Sequence, residues 1–312
     1  MSESSRRIRM RAAGLLAGGS LLATAACGAG AADSVQGEPQ VVAAFYPLQW
    51  LTEQVGGADV KVTGLTAPGV EPHDLELAPQ QVATLGDAAL TVYIKGVQPA
   101  VDDAVEQTAP DKGFDAATAV KTLAAGHEGH EGHEEDGHEH DASYDTHLWL
   151  DPARFATVAT ALGDRLAAAD PGHAQAYKDR AATTAASLNA LDQEMAKGLS
   201  TCTTKTLVTG HQAFGYLADR YGLKQIGITF DPDAEPSPAR IAEVAKVAKA
   251  EKVTTIFTEA LVSPKVAEVL ATEVGAKTAV LDPLESKPAD GDYLAAMRAN
   301  LVTLRTALGC SS

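Results

Sequence analysis

The sequence predicts an α/β protein with two similar lobes joined by one long rigid helix, and three observations carry that prediction. Short apolar runs alternate with helical stretches, the pattern of strands covered by helices. The alternation occurs twice, over residues 39–168 and again over 200–312. Between the halves, residues 169–199 read as one connecting helix, opened by Asp170-Pro171. A chain of 312 residues with 45% hydrophobic content can fill two cores. Aromatic content is only 5%, so Ala, Val and Leu must do most of the packing.

In chain order, Arg6, Arg7, Arg9 and Arg11 precede the small, apolar stretch Ala12 to Ala26. That stretch is too short to span a membrane and reads as a secretory leader over 1–26. Ser5-Arg6-Arg7 has some likeness to a twin-arginine signal, so the export route stays open. The leader ends in Thr24-Ala25-Ala26-Cys27, which resembles the lipobox of bacterial lipoproteins. The resemblance implies lipidation of Cys27 and anchoring to the outer face of the cell membrane. An ordinary cleaved leader with an incidental cysteine, leaving a periplasmic protein, is the alternative. Residues 27–38 then form a Gly- and Ala-rich tether.

In the first lobe, Val41 to Tyr46 reads as a strand halted by Pro47. Leu48 to Val55 reads as a helix ended by Gly56-Gly57. Val60 to Leu65 and Leu90 to Ile94 are strand-like, and Pro79 to Leu85 is helical. Residues 126–141, GHEGHEGHEEDGHEHD, contain no apolar residue that could anchor them in a core, and are expected to be a disordered surface loop. Asp151-Pro152 starts a helix, with Asp as cap and Pro at the first helical position. Asp170-Pro171 repeats the signal and opens the connecting helix, whose Tyr177, Ala181, Leu188, Leu191 and Met195 recur at helical spacing.

In the second lobe, Thr206 to Thr209, Gln225 to Phe230, Thr254 to Thr258 and Thr278 to Leu281 read as strands. Helices are expected over Gln212 to Tyr221, from Ser237-Pro238 to Ala250, from Ser263-Pro264 to Gly275, and over Tyr293 to Leu308.

The formal net charge of −16 gives no basic face for nucleic acid and suits the attraction of cations. If Cys27 carries lipid, Cys202 and Cys310 remain, and in an oxidising compartment two remaining cysteines tend to pair. Two free buried thiols are the alternative.

Outside the 126–141 loop the histidines are His73, His147, His173 and His211. His73 lies in a turn rich in Pro and carboxylates, and His147 just precedes the Asp151-Pro152 cap. His211 follows a strand where the next helix opens. Element ends are where α/β folds place binding groups. His173, among polar residues, reads as a solvated side chain. A histidine alone is more often structural than functional, and no short metal signature such as HExxH is present.

Longer segments say more. Pro72-His73-Asp74-Leu75-Glu76, His147-Leu148-Trp149-Leu150-Asp151-Pro152 and Thr209-Gly210-His211-Gln212-Ala213-Phe214-Gly215-Tyr216-Leu217 resemble the three metal-binding segments of cluster A-I substrate-binding proteins. These are the ZnuA-like and TroA-like receptors of zinc and manganese ABC importers. Ala234-Glu235-Pro236-Ser237-Pro238 and Phe257-Thr258-Glu259 are similar to that family's patterns too.

The resemblance implies a metal held between the lobes by His73, His147 and His211, with delivery to an ABC permease and its ATPase. It also implies a fourth ligand from the second lobe. Asp282, after a strand and before Pro283, matches that place best. Glu259 is the rival, or a residue that orients a ligand histidine; water could also complete the site. Three imidazoles and at most one carboxylate suit transported Zn2+ in tetrahedral geometry, although copper and nickel would accept the same donors. His127, His130, His133, His138 and His140 offer further nitrogen donors near neutral pH, suited to weak auxiliary capture. Two other functions remain open on sequence: a zinc-dependent hydrolase using Glu259 or Glu71 as base, and a surface adhesin on the same fold. A monomer is expected, with no enzyme activity.

Overall fold

The computed structural model describes residues 37–125 and 144–311. The leader, Cys27, and His127, His130, His133, His138 and His140 lie outside the described residues.

The first lobe runs β1 (Gln40–Ala43), α1 (Tyr46–Gly56), β2 (Lys61–Gly64), α2 (Pro79–Asp87), β3 (Leu90–Tyr93), α3 (Pro99–Thr108) and β4 (Gly113–Asp115). Its strands are all parallel, in the order β2-β1-β3-β4. Pro47 does not halt a strand as expected. β1 ends at Ala43, and Pro47 lies in the first turn of α1, where a missing N–H costs nothing. α3 and β4 are additions to the sequence reading. β4 has a single buried residue, Phe114, too little for a period-2 signal. α3 carries Pro99 at its start and buries Val101, Ala104 and Val105, a helical spacing readable in retrospect.

α4 (Pro152–Ala169) begins as expected, the Asp151 carboxylate accepting the Ala153 and Arg154 N–H groups. A short turn over 171–173 separates it from α5 (Ala174–Leu199), the 26-residue connecting helix. α5 is packed along its length: Tyr177, Ala181, Leu188, Leu191 and Met195 are all buried, against α4, α1 and, further on, the C-terminal helix. Two arginine clamps fix it to the lobes. Arg180 donates to the Val55 and Gly56 carbonyls and to Asp59 in the first lobe. At the other end, Asp192 accepts a bidentate pair from Arg220 of the second lobe, at 2.8 and 2.6 Å.

The second lobe runs β5 (Thr206–Thr209), α6 (Gly215–Tyr221), β6 (Lys224–Gly227), α7 (Pro238–Ala250), β7 (Thr255–Thr258), α8 (Lys265–Val274), β8 (Lys277–Val280) and α9 (Tyr293–Leu308). Its sheet is again parallel, in the order β6-β5-β7-β8. The two sheets thus share one strand order, which is the pair of similar lobes the sequence predicts. One large core runs through the first lobe, the connecting helix and the near side of the second sheet. A smaller cluster packs α7 and α8 on the far side. Among the described residues, no helix is long and apolar enough to cross a membrane.

Cys202 and Cys310 form a disulfide across 108 positions, tying the entry of the second lobe to the end of α9. On the chain-entropy model a loop of that size stabilises by up to about 4.7 kcal/mol. The Cys202→Ser/Cys310→Ser double variant is expected to unfold at lower urea concentration than the parent. An unchanged midpoint would show that the bridge contributes nothing.

Candidate metal centre

The loops that follow β2, β5 and β8, together with the segment leading into α4, converge where the carboxyl ends of the two sheets meet, the usual place for ligands in such folds. They bring together His73, His147, His211 and Glu285, whose ligand-capable atoms all lie within 4.8 Å of one another. Glu285 Oε1 is 3.4 Å from His73 Nε2, 3.6 Å from His147 Nε2 and 3.5 Å from His211 Nε2. The His147 and His211 Nε2 atoms are 3.4 Å apart. The pocket is nearly closed: His211 and Glu285 are each 1% exposed, and only His73 is partly open.

Each buried ring is aimed by a carboxylate on its far side. Asp145 Oδ1 accepts from both the backbone N–H of His147 (3.0 Å) and its Nδ1 (2.8 Å). Glu259, just beyond β7, does the same for His211, with Oε1 taking the backbone N–H at 2.8 Å and Oε2 meeting Nδ1. With Nδ1 of both rings committed to a carboxylate behind it, each Nε2 faces Glu285 and is the nitrogen left for a metal once any proton on it is displaced.

Two glycines make room for these carboxylates. A Cβ at Gly210 would lie 2.7 Å from Glu259 Oε1, and one at Gly215 would lie 2.2 Å from Asp145 Oδ2. The helix expected from Gln212 starts only at Gly215 for a related reason. Thr209 Oγ1 and Gln225 Nε2 both donate to the His211 carbonyl, which holds residues 210–214 as a loop.

The electrostatics match a centre built for a cation. Burial alone would raise the Glu285 pKa, but the three facing imidazoles hold it well below the ordinary carboxylate range. Burial works against the charged form of His211 too, yet Glu259 and Glu285 raise its pKa to about 10. His147 is likewise raised, Asp145 and Glu285 outweighing desolvation. Glu71, half-buried, is pushed up to about 8 by desolvation and by the charge of Glu285.

The fourth member corrects the sequence reading. Asp282 is not in the cluster; its Oδ1 accepts from the Leu284 N–H at 2.8 Å, and Glu285, three residues on, supplies the carboxylate. Position after a strand located the loop. It could not tell which acid of Asp282-Pro283-Leu284-Glu285 turns inward. The chain reverses at Leu284, which has φ 61° although it is not glycine, and no sequence signal marks that reversal. Glu259 sits behind His211, in the orienting role that was its alternative. His173 is exposed and paired with Asp170.

The family model described as "Zinc-uptake complex component A periplasmic", ZnuA, matches residues 41–307. The zinc-binding protein AdcA of Streptococcus pyogenes serotype M6 is 38% identical over 292 residues, covering 86% of this chain and 56% of AdcA. This chain therefore spans only a little over half the length of the AdcA relatives it matches. The high-affinity zinc uptake system protein ZnuA of Bacillus subtilis is 33% identical over 314 residues, covering 92% of this chain and 94% of that protein. Among solved structures, the Zn(II)-bound ZnuA-like domain of Streptococcus pneumoniae AdcA aligns with a TM-score of 0.73 at 33% identity, over 87% of this chain and 99% of that one. The laminin-binding protein Lmb of Streptococcus agalactiae, described as bifunctional with adhesin and metal-transporting activity, aligns with a TM-score of 0.76 at 32% identity. That alignment covers 86% of this chain and 99% of Lmb.

Proposed function

The chain belongs to the ZnuA family of zinc-uptake components, and on that premise we propose that it is an extracytoplasmic receptor that captures one Zn2+ ion and delivers it to an ABC permease. The observation that carries the reading is the convergence of three Nε2 atoms and one carboxylate oxygen in a buried pocket between the sheets. His73, His147, His211 and Glu285 are the ligands in this reading. Three neutral nitrogens and one anionic oxygen make the donor set of a four-coordinate zinc site, whereas an oxygen-rich set would favour manganese. Asp145 and Glu259, behind two of the rings, add negative charge that offsets the bound cation.

A hydrolase would need a free base beside an open metal position. Glu259 has both oxygens engaged with His211 and is not such a base. Four protein ligands in a closed pocket suit cargo rather than chemistry on a substrate. The leader and lipobox-like Cys27 support export and tethering beside a permease and its ATPase. In the same reading the histidines of 126–141 gather metal weakly as an auxiliary.

Zinc at a thousandfold excess over its dissociation constant is expected to stabilise the mature chain by about 4 kcal/mol. Thermal unfolding with and without the ion checks this, and native mass spectrometry against manganese and copper identifies the preferred metal. A melting temperature indifferent to zinc would sink the receptor reading.

A further inference from the structure

We propose that Asp282, Asn300 and Trp149 are positioning residues, which hold the 282–285 turn in the one shape that sends the Glu285 carboxylate to the three histidines. The inference rests on the receptor reading above and adds to it the device that creates the fourth ligand.

The need for a brace comes from Leu284. Its φ of 61° is a left-handed conformation that an L side chain disfavours, and its side chain is fully buried in the core. Such a conformation persists where the surroundings over-determine it. Here they do so at each residue before Glu285. Asp282 Oδ1 accepts the Leu284 N–H at 2.8 Å. Asn300, buried on α9, grips the Asp282 backbone from both sides, its Oδ1 accepting the N–H at 3.0 Å and its Nδ2 donating to the carbonyl at 2.6 Å. The Pro283 carbonyl accepts from Trp149 Nε1 at 2.7 Å.

Trp149 also links the two lobes' contributions. It lies two residues after His147, and its ring is 5.1 Å from the His147 ring. Its carbonyl accepts the hydroxyl of Tyr293 at the start of α9. The turn that presents His147 and the turn that presents Glu285 are therefore held to each other and to α9. With both bonding partners of the turn supplied by side chains, Asp282 acts through its oxygen as an acceptor, and its negative charge is not what the role requires.

That distinction makes the test. Zinc affinity is measured by competition with a chromophoric chelator, on the full mature chain. Asp282→Ala is expected to weaken zinc binding at least about tenfold, the low end for losing a residue that orients a ligand. Asp282→Asn, whose amide oxygen can accept the same N–H, is expected to restore affinity to within about twofold of the parent. In a Glu285→Ala background, Asp282→Ala should change affinity by less than about twofold, because its effect passes through Glu285. The Co(II) absorption spectrum of Asp282→Ala should move toward that of Glu285→Ala. Trp149→Phe, which removes the donor to Pro283 together with part of a buried ring, carries the same double comparison if Asp282→Ala does not fold.

Parental affinity in Asp282→Ala would overturn the proposal. So would an Asp282→Asn variant as defective as the alanine, or a loss that persists without Glu285. A parent chain that binds no zinc would instead overturn the receptor reading.

Discussion

His211→Ala is expected to abolish tight one-to-one zinc binding. The loss should exceed the about 10- to 100-fold cost of removing a residue that merely orients a ligand, because a donor atom itself disappears. The metal-free protein should suffer as well. The imidazole lies between Glu259 and Glu285, both buried, and its removal leaves two carboxylates without their shared partner. Breaking a buried charge pair by deleting one member costs about 3–5 kcal/mol. Titration calorimetry and urea unfolding of the same variant read the two effects separately. His173→Ala, at an exposed residue paired with Asp170, is the control and should bind zinc like the parent. Deleting residues 126–141 should remove only weaker additional sites. Unchanged calorimetric affinity in His211→Ala would refute the site assignment.

Zinc affinity should rise with pH well beyond neutrality. His211 has its pKa raised to about 10, so the metal-free site near pH 7 holds a proton on that ring beyond the one shared with Glu259. Zinc requires bare Nε2 lone pairs and must displace that proton. The apparent affinity then gains about tenfold per pH unit for each proton displaced, until the pH passes about 10. Calorimetry at pH 7 in buffers of different ionisation enthalpy should give different observed heats. Heats independent of buffer would contradict proton displacement.

The same shifts fix the stability of the metal-free chain. For His211 the folded pKa lies above the unfolded value, so its contribution is complete below about 6.5 and is lost as pH rises through about 10. Glu285 has the opposite sign: its contribution is present above the unfolded value of about 4.5 and is lost as pH falls through the depressed folded value.

Helices with explicit start signals were legible in the sequence. Asp151-Pro152 and Ser237-Pro238 open α4 and α7 where their caps and prolines place them. α9 runs over the residues its apolar spacing marks. Strands with several buried residues, such as β5, were equally clear, while β4 with one was not. The histidines could be picked out because each lies within a long segment that resembles one of the family's metal-binding segments. Glu285 has no such segment.

Caps, alternation and periodicity therefore determined the two lobes and the connecting helix, since they act between residues a few positions apart, while the three histidines were marked by the resemblance of their segments to a known family. Tertiary structure alone decided the carboxylate. The turn that chooses Glu285 over Asp282 is held by Asn300, 18 positions away, and by Trp149, 134 positions from the Pro283 it grips. Hydrogen bonds across such distances leave no periodic trace in the chain, and they exist only once α9 and the turn before α4 have packed around the loop.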